Sequence, residues 1–410
     1  MSKSRICFFT TYFFPEEFKG NDIAFELSRR GYEVTVITAI PNYPIGKFYD
    51  GYSIIKKRKE LINNVNVIRL PVIPRGNGNR FRLMLNYLSF FLSSVIFTFF
   101  FSFKKNFDVV FVQQLSPFFI AIPAVMIAKK QKLPLYMWVL DLWPESVQSA
   151  GGFNNKLVLR MLNRMVINVY KKCTNILIGS EGYKKSIIQK GNFNEKLIYF
   201  PNWAEDVSKN PANVDLNMIF PFSNFQDDDF ILLFAGNLGE AQNLDSILEA
   251  AKLTKDNIKI KWVFLGDGRY RDTLEKKVIE YSLQDTVFFP GRFPLNTMPV
   301  FMKIADILLV SLKDEWIFNL TIPSKVQFYM AQGKPILGLL NGDGAELIFN
   351  ANCGYCVPAG DYKKCSEIVN KICNEKKELE ILGLNGKKYY EEHFQKKVRI
   401  DQLEAIINKV

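Results

Sequence analysis

Histidine is nearly missing. His393 is the only one among 410 residues, and it lies in a highly charged stretch near the C-terminus, where a solvated helix residue is expected. That scarcity excludes Ser-His-Asp catalysis and multi-histidine metal centres. Cysteine is sparse as well. Six cysteines, at positions 7, 173, 353, 356, 365 and 373, are too few and too scattered to staple a chain of this length, which points to a reducing compartment. Cys353 and Cys356 make a lone CxxC without a second pair or a nearby histidine, so neither a metal nor a redox role is expected of them. No loop carries the full GxGxxG spacing with its ribose-binding acid, which argues against a dinucleotide-dependent dehydrogenase. The N-terminal apolar run is soon broken by Pro15, Glu16 and Glu17. It reads as a first strand and not as a signal peptide.

What is present describes a two-domain globular protein. A chain of this length exceeds one typical core, and its residues are 48% hydrophobic and 23% charged. Lys and Arg number 53 against 41 Asp and Glu, a net charge of +12, so a polyanionic partner is expected: nucleic acid, anionic lipid or a phosphorylated substrate. Strand-like apolar runs alternate with helical patterns, the mark of parallel βαβ architecture. "RICFFTTYF", "YEVTVITAI", "NVNVIRLPV", "FDVVFVQQL", "LPLYMWVLDL" and "TNILIGSE" are the strands of the first half. "FILLFAGNLG", "IKWVFLGDG", "TVFFPGRF", "DILLVSL" and "KPILGLL" restart the rhythm in the second. The expected fold is α/β, with two doubly wound Rossmann-like domains facing a central cleft. The expected bounds are 1–202 and 229–385, joined by an Asn/Asp/Pro-rich linker at 203–228 and followed by a C-terminal helix at 386–410.

One stretch departs from the soluble pattern. Residues 83–103, "LMLNYLSFFLSSVIFTFFFSF", carry no charge and are long enough to cross a bilayer. Yet Asn86, Ser89, Ser93, Ser94, Thr98 and Ser102 interrupt them, several at helical i, i+4 spacing. The segment also falls between two strands of one domain. An interfacial helix, packed partly on the sheet, is favoured over a buried core helix or a transmembrane span. Upstream, Lys56, Lys57, Arg58, Lys59, Arg69, Arg75, Arg80 and Arg82 face a single acid, Glu60. Basic charge beside an apolar helix suits an anionic membrane surface.

Chemistry is expected where parallel strands end in glycine-bearing turns. In the second half these are Gly236, Asn237 and Gly239 before a helix, Gly266 and Gly268 with Arg269 and Arg271, and Gly291 with Arg292. Such glycines allow close backbone approach to a phosphate at a helix N-terminus. Pro323, Ser324 and Lys325 open a further helix. A lysine in a first turn opposes the helix dipole, so it calls for an anion or plain solvent. In the first half, Gly20 lies in another strand-to-helix loop. Asp141, Trp143 and Glu145 follow a strand end in an arrangement suited to sugar hydroxyls and to stacking on a pyranose ring; a capping Asp and a core Trp are the bland alternative.

Taken in order, "PNYPIGKFYDGY", "DLWPES", "IGSEGYKKSI", "FPNWAED", "AGNLGEAQNLDSILEAA", "GDGRYRDTLE", "PSKVQFYMAQGKPI" and "NCGYCVPAGD" resemble the retaining GT4 group of GT-B glycosyltransferases over essentially the whole chain. The likeness is to bacterial O-antigen and capsule enzymes, including L-fucosamine (N-acetylfucosamine) transferases. The resemblance implies a nucleotide-sugar donor, UDP-linked by preference, on the C-terminal domain. It implies an undecaprenyl-diphosphate-linked saccharide acceptor on the N-terminal domain, and a cytoplasmic enzyme peripheral to the inner face of the plasma membrane. It implies no cofactor and no metal. Two departures stand out. Asn237 and Gln242 occupy the places of the family's diphosphate-binding Arg and Lys, and Leu320 and Phe328 those of its paired Glu. Lys325 is then the main remaining cation for the leaving diphosphate, with Arg269 and Arg292 behind it. Ser324 and Glu346 are candidates for ribose and sugar contacts, Asp141 for orienting the acceptor hydroxyl, and Trp143 and Glu145 for holding the acceptor. The alternatives are a GT-B-like nucleotide-sugar epimerase, which would want side-chain acid and base groups that this chain lacks, and a nucleic-acid binder, whose basic residues would be interleaved with aromatics.

Overall fold

The computed structural model describes residues 3–101, 107–151, 155–204 and 214–409. The chain divides into two compact units. One comprises Met1–Pro201 with Arg399–Val410, the other Asn202–Val398.

The first unit runs β1 (Arg5–Phe9), α1 (Lys19–Arg29), β2 (Glu33–Ala39), β3 (Lys59–Ile62), β4 (Val65–Leu70), α2 (Arg80–Phe101), β5 (Val109–Gln114), α3 (Ala121–Gln131), β6 (Leu135–Val139), α4 (Glu145–Gly151), α5 (Lys156–Lys172), β7 (Asn175–Ile178), α6 (Glu181–Gln189) and β8 (Leu197–Tyr199). Its sheet has the order β3-β4-β2-β1-β5-β6-β7-β8. Every neighbouring pair is parallel except β3 with β4. Strands β5 and β6 are buried at every position, as expected of a parallel sheet covered on both faces. The strand order reverses direction between β1 and β5, so the loops after these two strands part and leave a crevice.

The second unit runs β9 (Phe230–Ala235), α7 (Leu244–Leu253), β10 (Ile260–Leu265), α8 (Arg271–Glu280), β11 (Val287–Gly291), α9 (Met298–Ile304), β12 (Ile307–Ser311), α10 (Trp316–Asn319), α11 (Ser324–Ala331), β13 (Ile336–Leu339), α12 (Asp343–Asn350), β14 (Gly354–Val357), α13 (Tyr362–Ile372) and α14 (Lys376–His393). Its sheet, β11-β10-β9-β12-β13-β14, is parallel throughout, and its order reverses between β9 and β12. Two sets of buried side chains, one around Leu232, Phe264 and Leu309 and one around Leu233, Tyr329 and Ile336, fill the two faces. A last helix, α15 (Lys396–Ile407), returns to the first unit from Arg399. There Glu404 accepts from Lys3, Arg30 and Tyr32.

Three expectations about organisation change. Of the expected linker at 203–228, residues 205–213 lie outside the described residues. Val214, Leu216, Ile219, Phe222 and Phe225 pack on the core of the second unit, so that stretch belongs to the domain. The expected C-terminal helix at 386–410 is two helices, α14 and α15, because the chain turns at Phe394. Arg69, counted with the surface basic residues, is fully buried, donating to Glu60 at 2.6 Å and to the Phe14 carbonyl at 2.6 Å.

Helix α2 is inverted with respect to an ordinary surface helix. Asn86, Ser94 and Thr98 are buried against the unit with Phe90. Ser89 accepts from the Ile73 amide, and Ser93 donates to the Pro71 carbonyl. The opposite face exposes Phe81, Met84, Leu88, Leu92, Ile96 and Phe99. The polar residues that break the apolar run therefore point inward. The expected segment's last residues, 102 and 103, lie outside the described residues.

Candidate active site

The second unit gathers its glycine turns into one place. At the end of β9, the Gly236 amide donates to the Leu265 carbonyl at 2.9 Å, and the Leu238 amide to the Asp267 carbonyl at 2.9 Å. Leu238 is wholly buried, so it anchors the loop in the core. The Gly266 amide in turn donates to the Gly291 carbonyl at 2.9 Å, tying the ends of β9, β10 and β11 together. Gly266 has no room for a side chain: its φ is +143°, and a Cβ would stand 1.8 Å from the Gly236 carbonyl oxygen. From across the strand reversal, the Lys313 amide donates to the Ala241 carbonyl at 3.0 Å.

Against this edge stands the first turn of α11. Its leading amides have no intrahelical acceptors, and Pro323 at the N-cap supplies no side-chain bond. Tyr329, buried one turn on, fixes the helix to β9. Its hydroxyl accepts from the Ala235 amide at 3.0 Å. Gln327 adds a bond to the Asn202 carbonyl at 3.0 Å. Lys325 thereby points into the loop after β9. Its Nζ lies 4.2 Å from the centre of the Phe234 ring and donates to Gln242 Oε1. A Cβ on Gly236 would come within 2.6 Å of the Lys325 Cε.

The electrostatics of this lysine are unusual. Part of its stem reaches solvent, but the ammonium end is enclosed, and that desolvation pulls its pKa down to about 7. No carboxylate compensates it among the described residues. A neutral amide and an aromatic face hold it instead. An enclosed cation without a counter-ion is poised to gain free energy from an anion. Open helix amides, a glycine-lined backbone edge and that cation lie together at the strand ends.

The first unit's candidates look different. Asp141 accepts from Ser116 and Ser146 hydroxyls and from Trp143 Nε1 at 3.3 Å. Trp143 is 9% exposed and meets Phe119 edge-on at 6.3 Å. Glu145 pairs with Lys190 and accepts from Ser186 Oγ at 3.0 Å.

Two family models divide the chain between them. Residues 21–205 match Glycosyltransferase Family 4, and residues 217–389 match Glycosyl transferases group 1. Together the two models span most of the chain, which is a glycosyltransferase with the GT-B fold. WbjE of Pseudomonas aeruginosa, named a glycosyltransferase, is 29% identical over 61% of the chain, a match spanning 62% of that relative's own length. WcaI of Escherichia coli K12, named for colanic acid biosynthesis, is 26% identical over 75% of each protein. Among solved structures, the fold matches the sucrose-phosphate synthase of Thermosynechococcus elongatus with a TM-score of 0.71 over 99% of both chains at 13% identity. It matches Anabaena HepE, solved with UDP and glucose, at 0.67 over 100% of both chains and 14% identity.

Within this glycosyltransferase the expected donor residues separate into two groups. Gly236, Gln242, Gly266, Gly268, Gly291 and Lys325 come together at the strand ends. Asn237, Arg269, Arg292 and Ser324 are exposed around them, and Glu346 lies exposed in the first turn of α12. Gly20 falls inside the first turn of α1 and not in the loop before it, packed so that a Cβ would stand 2.1 Å from Gln113 Oε1. Phe328, in place of a family Glu, packs on the core. In the first unit, Trp143 is buried, Asp141 accepts from three donors of its own chain, and Glu145 pairs with Lys190, so each of the three candidates already has partners within the unit. Cys353 and Cys356 stay thiols, because burial pushes them up to about 12 and about 11. Phe234 and Tyr329 were missed as site-building residues. Tyr329 was findable, being four residues from Lys325 and so on the same helical face. Arg271, read beside Gly268, donates to the Phe289 carbonyl at 3.1 Å.

Proposed function

We propose that the protein transfers a sugar from a UDP-linked donor, held by the second unit, to a lipid-linked saccharide held by the first, in bacterial surface polysaccharide synthesis. The observation that carries this reading is the enclosed Lys325, without a counter-ion among the described residues, at the open N-terminus of α11. A diphosphate there would receive the ammonium, the first amides of α11 and the backbone at Gly236. As the bond to the anomeric carbon breaks, charge grows on the diphosphate. Groups already aimed at it then stabilise the transition state more than the ground state. The departing diphosphate oxygen takes the proton of the acceptor hydroxyl attacking from the same face, so configuration is retained and no histidine is needed. Lys325 supplies the positive charge that a divalent ion would otherwise provide, so EDTA should leave turnover unchanged.

An N-acetylated deoxyhexosamine of the L-fucosamine kind is the first donor to try, on the strength of the sequence motifs. The acceptor reading is supported by the outward apolar face of α2 and by a loop that exposes Ile54 and Ile55 beside Lys56 and Lys57. Such a surface suits the cytoplasmic face of an anionic membrane. A thermal-shift panel of UDP-, GDP-, dTDP- and CMP-sugars, followed by transfer to a polyprenyl-diphosphate saccharide, tests the proposal. UDP compounds should stabilise the protein; stabilisation by another nucleotide alone, or no transfer with any, would refute it.

A further inference from the structure

At the C-terminal ends of β1, β2 and β4, aromatic side chains gather round one guanidinium. Tyr12 stacks on Phe18 at 4.7 Å and meets Tyr43 at 5.4 Å. Arg75 lies over Tyr43 at 4.9 Å and over Tyr87 of α2 at 5.9 Å, and it donates to the Tyr12 hydroxyl at 3.0 Å. Arg5, Arg30 and Arg69 of the same unit each face a carboxylate. Arg75 faces tyrosines, and among the described residues it has no carboxylate partner. Rings that hold a guanidinium by its face leave N–H edges available for a bidentate anion.

This arginine is built into its place. Its amide donates to Asn42 Oδ1 at 3.2 Å, and Asn86 of α2 donates to the same oxygen at 3.2 Å and to the Ile73 carbonyl at 2.7 Å. The Gly76 amide donates to the Gly46 carbonyl at 2.7 Å, joining the loops after β2 and β4. Arg75 is therefore fixed to the N-terminal end of α2, five residues before its first residue. Exposed Arg80 and Arg82 stand in the first turn, and the apolar outward face runs on from there. An interfacial helix in that orientation puts the guanidinium at the height of lipid headgroups.

We propose that Arg75, walled by Tyr12, Tyr43 and Tyr87, grips the diphosphate of the lipid-linked acceptor. This rests on the acceptor class of the proposed function and assigns it a site. Neutral sugar hydroxyls would compensate this guanidinium weakly, whereas diphosphate oxygens match its fork. The aromatic walls would lie against the first isoprene unit.

Binding to phosphatidylcholine vesicles carrying farnesyl diphosphate tests this, compared with vesicles of equal surface charge made with phosphatidylglycerol. The wild type should prefer the diphosphate vesicles by about tenfold or more, as expected for a bidentate charged contact. Arg75→Gln should lose that preference while still binding phosphatidylglycerol, and Arg75→Lys should keep only part of it, each with unchanged circular dichroism. Equal binding of the wild type to both vesicles, or a preference that survives Arg75→Gln, would overturn the assignment. So would inorganic pyrophosphate binding in solution as tightly as the vesicles do and in an Arg75-dependent way, which would make this a site for a soluble anion. Failure of the proposed function reads differently: no sugar transfer to any polyprenyl diphosphate while the vesicle preference persists.

Discussion

Lys325 makes nucleotide affinity a titration. In the free protein its desolvated ammonium has a pKa of about 7, so near neutral pH about half the molecules carry the charge. A bound diphosphate provides the missing counter-ion and should return the pKa toward the ordinary lysine value of about 10.4. The sign follows from proton counting. Above pH 7 the complex holds a proton that the free protein has lost, so binding takes up a proton and weakens as pH rises. For a UDP-sugar, whose diphosphate diester does not titrate between pH 7 and pH 9, the dissociation constant should increase roughly fifty-fold over that range, approaching tenfold per pH unit, or about 1.4 kcal/mol each. Titration calorimetry in buffers of different ionisation enthalpy reads both quantities. Proton uptake should rise from about half a proton at pH 7 to nearly one at pH 9. Lys325→Arg should flatten the profile while binding remains, because the guanidinium stays charged throughout. A pH-independent dissociation constant in the wild type would refute the reasoning, since it would mean that the ammonium does not face the bound anion.

Other outcomes follow from the packing. On α2, Leu92→Glu with Ile96→Glu, at residues 58% and 59% exposed, should leave the fold unchanged and sharply reduce binding to anionic vesicles in a sedimentation assay. Thr98→Val on the buried face should stabilise by about 1 kcal/mol in denaturant titration, because the buried Thr98 hydroxyl has no partner among the described residues. Glu16 is buried, and that burial raises its carboxyl to about 7 against the opposing backbone donors Tyr43, Asn42 and Phe13. Its contribution is therefore fully present below the ordinary Glu range and lost as pH rises through 7. The stability difference between wild type and Glu16→Gln should shrink from pH 5 to pH 7.5, and Glu16→Ala should cost about 2–4 kcal/mol by orphaning buried amides. Lys190→Met should cost roughly 3–5 kcal/mol by stranding Glu145, and adding Glu145→Gln should recover most of it in the same unfolding assay.

Much of this architecture was legible because parallel strands are buried on both faces and announce themselves as continuous apolar runs. Edge strands do not. β3, "KELI", alternates exposed Lys59 and Leu61 with half-buried Glu60 and Ile62, and β8 spans only three residues, so neither rises above its surroundings. The polar residues of α2 were visible at helical spacing, but nothing local says which face turns inward. Partners such as the Pro71 carbonyl and the Ile73 amide decide that. The glycine turns were readable as phosphate-type loops. The joining of Gln242 to Lys325 was not, because the two residues are separated by a further βαβ rhythm and meet only through the sheet. The partners of Asp141 and Glu145 were illegible for the same reason: as residue types they suit a sugar, and Ser116, Ser186 and Lys190, which bond to them, come from other segments.

The central claim, that Lys325 carries the charge of the departing diphosphate, is tested most directly by single-turnover transfer with Lys325→Ala. Sugar transfer from the preferred nucleotide donor to a polyprenyl-diphosphate saccharide should slow at least about a hundredfold, the scale of removing one preorganised charge donor. The thermal unfolding profile and vesicle binding should stay those of the wild type. Transfer within about threefold of the wild-type rate would contradict the account.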